Sequence, residues 1–583
     1  MSDLDELRKI VLKYVLLNAI QYGGKADTKA VMGKVMSEKP ELRAQVKLVL
    51  KIVNEEVSKI NQMSLSQQKS LLDELGVEVT KRKEEKKKPK LPPLPNVTKY
   101  AKVVMRLAPY PSGPLHIGNA RMVILNDEYV KLYNGELILA YDDTIGSKEK
   151  TILPEAYDLI REGLEWLGVR WHKTIYKSDR VPVFYEYGKR LIELGQAYVC
   201  ICPAEVFREK YKKLMKECPH RNASIEENLE HWDKMLDGTY SEGEAVVRLK
   251  TDMANPNPAL RDPPILRISE REHPRVGSKY RVWPLLEFNW AIDDHLLGIT
   301  HILRGKDLIK EDIIEKLVWR IFNWPEVEFI HYGQIMFKGL SLSKSKSRKL
   351  IEAGVYVGWS DPRTWSLQSL DARGIKPESL RNVLLELGLS LTDIEFSPEI
   401  LYSYNRRLID KEAKRLFFVA SPIKFTINKI PFPELVSRPL WHPDFPDQGN
   451  RIIHLFVNNG TANVYISKND YEKLELGSIV RLKELMNIII TSKADHEAVA
   501  DFHSKSITDL KGIKAPVIHW VPTDSDLIVP TEVLMPNGTI EKGFAEHNLK
   551  QISIGDVVQF ERFGFVKIHE INKARAFAYY GHP

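Results

Sequence analysis

The chain has 583 residues, 43% of them hydrophobic, with a formal net charge of +7 and three cysteines. That length exceeds a single domain, and three cysteines exclude a disulfide scaffold. No apolar run reaches the ~20 residues of a membrane span, and the acidic start, Met1-Ser-Asp-Leu-Asp-Glu6, lacks the layout of a signal peptide; the chain reads as soluble and cytoplasmic, with a mild basic excess suited to an anionic partner.

Residues 1–80 read as a helical N-terminal appendage. Leu4, Leu7, Val11 and Tyr14 share one face, as do Val46, Val49, Val53, Val57 and Ile60, and Gly23-Gly24 breaks the first helix. Such a module binds a ligand or serves folding and partner docking; the pattern does not choose. Residues 81–99 form a linker. Its first ten residues hold seven basic and two acidic side chains, followed by Leu91-Pro-Pro-Leu-Pro95. That is a solvated, proline-stiffened tether.

From residue 100 apolar strands alternate with helices, the pattern of a doubly wound parallel sheet. Val103-Val104-Met105 reads as a buried strand, and a helix is expected from about Ala120. Between them lies Arg106-Leu-Ala-Pro-Tyr-Pro-Ser-Gly113, then His116-Ile-Gly-Asn119. Gly113 and Gly118 allow close approach of a ligand to the backbone, the following helix start favours anions, and His116 can donate to a phosphate oxygen. Residues 137–141 read as the next strand. Asp142 and Asp143 stand at its carboxyl end, where ligands bind in open α/β sheets. A carboxylate there holds an amino group, or Asp143 or Thr144 caps a helix.

Cys200-Ile-Cys202 and Cys218-Pro-His220 are two pairs of soft ligands with fifteen residues between them. They gather every cysteine of the chain, which suits a closed, structural tetrahedral Zn²⁺ site; the alternative is buried reduced thiols. Residues 240–300 are strand-rich. His301 reads as a satisfied core histidine. Arg304, after an apolar run, must be paired if buried and can grip a carboxylate through two parallel bonds. Ser341-Leu-Ser-Lys-Ser345 begins a loop of serines and cations ahead of a helix at about Leu350. Such a loop suits a triphosphate leaving group, although Ser-Lys runs also occur as plain solvated loops. Residues 373–420 read as helical. Beyond them, residues 451–457 and 463–466 around Asn459-Gly460 suggest one hairpin, and 531–535 and 539–543 around Pro536-Asn-Gly538 another. Strands at 517–521 and 557–560 complete a pattern of β-barrels.

His116–Asn119 and the serine-lysine loop, in this order across one α/β region, resemble the two signature motifs of class I aminoacyl-tRNA synthetases. Arg106-Leu-Ala-Pro109, Tyr141-Asp-Asp-Thr144, Asn255-Pro-Asn-Pro-Ala-Leu-Arg-Asp262, Ile292-Asp-Asp-His295, Leu303-Arg-Gly305 and Gly358-Trp-Ser-Asp-Pro-Arg363 narrow the resemblance to the glutamyl/glutaminyl family. The stretches around Lys424, Val480, Val521 and Gln559-Phe-Glu-Arg562 are similar to its anticodon-binding barrels, of the archaeal and eukaryotic glutamyl type. The chain departs from the pattern at Asn119, at Ser341, and at Leu286, where bacterial relatives place a Tyr.

The resemblance implies a multidomain architecture. The Rossmann-like catalytic domain spans 100–199 and 291–372, interrupted by an acceptor-end domain at 200–290 that carries Cys200, Cys202, Cys218 and His220. A helical stem-contact segment covers 373–420 and two β-barrels cover 421–583. It also implies ligation of L-glutamate to tRNA through glutamyl-adenylate, with ATP and Mg²⁺. His116, Asn119 and Lys344 would be catalytic. Pro109, Gly113, His116, Gly118, Asn119, Ser343, Lys344 and Ser345 would hold ATP, and Arg106, Asp142 and Arg304 would hold glutamate. The partner is tRNA for glutamate, with glutamine isoacceptors left open, and the enzyme is expected as a monomer, alone or within a synthetase complex. A glutaminyl enzyme or an idle tRNA-binding scaffold are the alternatives.

Overall fold

The computed structural model describes residues 3–21, 24–39, 45–75, 91–147, 151–337, 342–494 and 497–583, with the side chains of residues 3–6, 21, 37, 65, 66, 69 and 73 excepted. The expectations on Leu4, Gly23, Ser341, residues 76–80 of the appendage and residues 81–90 of the linker lie outside these. The chain divides into two compact units, Met1–Pro89 and Lys90–Pro583.

Among its described residues the first unit has four α-helices, α1 Asp3–Gln21, α2 Thr28–Glu38, α3 Val46–Ile60 and α4 Leu65–Glu74. Leu7, Val11, Val15, Val49, Val53, Val57 and Ile60 are buried together. Val46 departs from its expected face: it opens α3 one turn ahead of the packed stripe and is 44% exposed. Asp27 caps α2 by accepting from the Ala30 amide at 2.8 Å.

The second unit starts its sheet with β1 Val104–Leu107, β2 Glu136–Tyr141 and β3 Lys173–Tyr176, in parallel order β1-β2-β3. Helix α5, Ile117–Leu132, connects β1 to β2. It begins three residues before the expected start because the His116 side chain accepts from the Gly118 amide and the Asn119 side chain accepts from the His116 amide. β4 Ala197–Cys200, β5 Val246–Leu249, β6 Pro264–Ile268 and β7 Val282–Pro284 form an antiparallel sheet. This insertion shares a core with the parallel sheet: Val199, Val247 and Leu266 pack with Ile138, Ala140 and Ile302. The chain then returns as β8 His301–Gly305 and β9 Glu328–Tyr332, a parallel pair. The Thr300 amide donates to the Val104 carbonyl at 2.9 Å, joining β8 to β1. His301 is fully buried and bonded to Thr300 and to the Pro95 carbonyl, a core histidine as expected.

The segment 373–420 is helical only over Pro377–Glu386 and Pro398–Ile409; Ile394–Phe396 pairs with Ile335–Phe337, and strands resume at Arg415. Two seven-stranded, curled half-barrel sheets follow. The hairpin Ile528–Leu534/Ile540–Glu546 forms, with Leu534 opposite Ile540. The other expected hairpin does not. Asn459 and Gly460 make the tight left-handed turn, but Ile453–Phe456 pairs with Glu434–Ser437 while Ala462–Ser467 enters a seven-stranded sheet. The local turn signal was correct, and tertiary pairing chose different strand partners. Among the described residues no helix is long and apolar enough to cross a membrane.

The two half-barrel sheets meet at a polar core. Arg451, 1% exposed, donates to Glu546 at 3.0 Å and to Glu561 at 2.7 Å. Glu561, after one sheet's strand, pairs with Lys483, after the other's. Arg451→Ala leaves the buried Glu546 unpaired and should cost about 3–5 kcal/mol, read as an earlier urea transition.

Candidate active site

Arg106 in β1 and Arg304 in β8 line one cavity of about 460 Å³ with His116, Gly118 and Asn119 at the start of α5. Both guanidinium groups lie against Trp290, 4.5 and 5.2 Å from its ring centroid. Each is neutralised by buried carboxylates. Arg106 forms a two-bond pair with Asp294, with Nη2 to Oδ2 at 2.8 Å. Arg304 donates through Nε to Asp312 at 3.0 Å, through Nη2 to the same carboxylate, and through Nη1 to Glu315 at 2.7 Å. Asp294 and Glu315 are fully buried. Burial pushes the Glu315 carboxyl up, against the pull of Arg304.

The phosphate-type loops meet one another. His116 adopts extended backbone as the α5 cap, and its Nδ1 accepts from the Gly118 amide at 3.1 Å, while Asn119 Oδ1 accepts from the His116 amide at 3.2 Å. That bond assigns the ring proton to Nε2. Burial, then the nearby Lys344 charge, push the imidazole down to about 4, so it is neutral at physiological pH. Helix Lys344–Glu352 starts six residues before the expected Leu350 because Ser343 caps it, accepting from the Lys346 amide at 3.3 Å. Lys344 Nζ donates to the Gly113 carbonyl at 3.3 Å, and burial lowers its ammonium to about 8. Gly113 has φ +144°, and a Cβ there would stand 3.1 Å from the Trp359 ring. Two helix starts thus converge beside the cavity, with the Lys344 ammonium between them, an arrangement that suits an anion.

The family model described as tRNA synthetases class I (E and Q), catalytic domain, matches residues 102–410, and two described as anti-codon binding domains of the same group match 413–505 and 517–569. The chain belongs to the class I glutamyl/glutaminyl-tRNA synthetase family. It is 44% identical to the glutamate–tRNA ligase of Pyrococcus furiosus, covering 99% of this chain and 100% of that one. It is 45% identical to that of Methanocaldococcus jannaschii, covering 96% and 97%.

In this synthetase the expected site residues fall into three groups. Arg106, Arg304, His116, Gly118 and Asn119 line the cavity. Gly113 and Lys344 adjoin it through their mutual bond, while Ser343 and Ser345 are exposed at the helix start. Pro109 and Asp142 are buried behind, joined by the Asp142 amide and Pro109 carbonyl at 3.1 Å. The Asp142 carboxylate lies 3.8 Å from Lys177 Nζ and accepts from Asn289 at 3.4 Å. Asp143 caps no helix; it accepts from the Ser178 amide and hydroxyl and from Tyr157, tying β2 to the turn after β3.

Sequence reasoning missed Trp290, Asp294, Asp312 and Glu315. Asp294 was present in the motif Ile292-Asp-Asp-His295 without a role. Asp312 and Glu315, three apart on helix Ile309–Ile321, share the face turned to Arg304, a spacing that was readable.

Cys200, Cys202, Cys218 and His220 offer ligand atoms all within 4.8 Å of one another. Cys200 and Cys218 Sγ are 3.9 Å apart, and Cys202 Sγ lies 3.4 Å from His220 Nδ1. Three thiols and one imidazole in this compass match a tetrahedral zinc donor set.

A Cβ on Gly118 would stand 2.9 Å from His116 Cε1 and 3.0 Å from Nδ1. Gly118→Ala should therefore displace the imidazole and lower kcat/KM for ATP–pyrophosphate exchange about 10²-fold, with the thermal transition little changed.

Proposed function

We propose that this chain charges tRNA with L-glutamate in two steps, using ATP as its magnesium complex. The α-carboxylate of glutamate attacks the α-phosphorus of ATP, giving glutamyl-adenylate and pyrophosphate. The 2′-hydroxyl of the tRNA terminal adenosine then attacks the acyl carbon of the adenylate, breaking the mixed anhydride, taking the glutamyl group and releasing AMP. The family membership supports the reaction class, and Arg304 in the cavity wall carries the choice of amino acid. A guanidinium facing the γ-carboxylate gains a charge-assisted pair, whereas an amide leaves it short of an acceptor. That argues against a glutaminyl enzyme.

In this reading His116 and Asn119 contact the phosphates or ribose, and Gly113, Gly118 and Pro109 shape the loop that admits them. Lys344, flanked by Ser343 and Ser345, stabilises negative charge developing on the phosphates. Arg106 adds a second cation near glutamate, and Asp142 holds its α-ammonium. Neither step needs a protein nucleophile; the protein supplies position and electrostatics. The insertion at 200–290 takes the acceptor end and the half-barrel sheets read unstacked anticodon bases. Cys200, Cys202, Cys218 and His220 would hold a structural Zn²⁺ whose bonds tie the end of β4 to the turn at Pro219–Asn222.

ATP–pyrophosphate exchange, with and without tRNA, should be faster with glutamate than with glutamine; the reverse order would overturn the assignment. Lys344→Ala should lower exchange about 10²–10³-fold, and wild-type activity in that variant would favour an idle scaffold. Aminoacylation of glutamate and glutamine isoacceptors in parallel shows which tRNAs are charged. Protein purified without chelators should contain about one zinc per chain; a content well below that removes the zinc site.

A further inference from the structure

Arg304 has five N–H donors. Three are used on Asp312 and Glu315, leaving one on Nη1 and one on Nη2. The two acids hold it unequally. Asp312 engages Nε and Nη2, and its other oxygen lies 2.9 Å from His331 Nε2 on β9. Glu315 engages Nη1 alone, and its Oε2 is buried with no hydrogen-bond partner among the described residues. The charged groups facing Glu315 are Arg304 on β8, Arg106 on β1, Asp294 on helix Leu286–Leu296 and Asp312 on its own helix, with His331 beyond Asp312.

Two guanidinium groups thus already face three carboxyl groups. A substrate γ-carboxylate would be a fourth, beside buried groups where like charges close together cannot all be ionised. Asp294 and Asp312 each make two contacts to a guanidinium; Glu315 makes one and has an idle oxygen. It is the acid best placed to give up its charge.

Resting on the glutamate-ligase reading, we propose that Glu315 is a positioning residue that opens Arg304 to the substrate γ-carboxylate by carrying a proton, while Asp312, bonded to Nε and Nη2, anchors the guanidinium. The proton comes from water and returns to it when Glu315 ionises in the empty site. Burial already favours the neutral acid, so the proton is in place near neutral pH and has to be taken up with glutamate in more alkaline solution.

Calorimetric titration of the full chain with L-glutamate, at pH 7 and pH 9 in two buffers of different ionisation heat, tests this. Once Glu315 is ionised in the free enzyme, Kd should rise about tenfold per pH unit, with net proton uptake on binding at pH 9. Glu315→Gln should keep a pH 9 Kd close to its pH 7 value and take up no proton. Asp312→Asn should weaken binding at both pH values while keeping the wild-type ratio between them. A wild-type Kd equal at the two pH values without proton uptake, or a Glu315→Gln variant with the wild-type pH dependence, would overturn the proposal. The proton count on wild-type protein needs no variant, so a Glu315→Gln protein that does not fold leaves the test intact. Binding and exchange with glutamate but no pH dependence would remove this inference alone; absence of both would remove the ligase reading with it.

Discussion

The catalytic half is organised by two buried arginines laid against one tryptophan. Arg106 and Arg304 come from different strands, yet both meet the Trp290 ring and both are tied down by acids on the two helices that flank β8 in the chain, Asp294 on the one before it and Asp312 with Glu315 on the one after it. A guanidinium cannot lose its charge at any accessible pH. Once two of them are buried, the surrounding elements must bring carboxylates to meet them. The helices Leu286–Leu296 and Ile309–Ile321 are fixed relative to β1 and β8 by that requirement as much as by their apolar faces.

The second organising contact is weaker and joins distant parts of the chain. Lys344 reaches Gly113 across more than two hundred residues. Its ammonium and the neutral His116 imidazole stand beside two helix starts, so the positive character of this side of the cavity comes from one lysine and from backbone amides. His116 is held neutral by its own burial and by that lysine, which suits it to donate a hydrogen bond without titrating.

Much of this was legible in order along the sequence. The strand–turn–helix around His116, the parallel sheet, the Cys/His cluster and the Ile528–Leu534 hairpin each rest on local chemistry: periodicity, turn residues, ligand spacing. Helix starts were misplaced at Ile117 and Lys344 because the caps, a histidine paired with an asparagine and a serine within a serine run, do not stand out as boundary signals. The Asn459-Gly460 hairpin failed for a different reason. A turn is decided by four residues, but strand partners are decided by every edge available in the folded chain. Asp142 illustrates the same limit within the site. Its place at the end of β2 was readable, but its neighbours Lys177 and Asn289 come from remote segments.

The pairing of Arg304 also bears on how the pocket could change over evolutionary time. An isolated arginine could be exchanged in one mutation for a residue that welcomes an amide. Here that exchange would strand Asp312 and Glu315, two acids inside the protein with no cation to answer them. The intermediate would lose stability before it gained any new preference. On the reading proposed for Arg304, a drift in amino-acid choice would have to begin with the helix that carries Asp312 and Glu315, so the commitment would be stored one layer behind Arg304 itself.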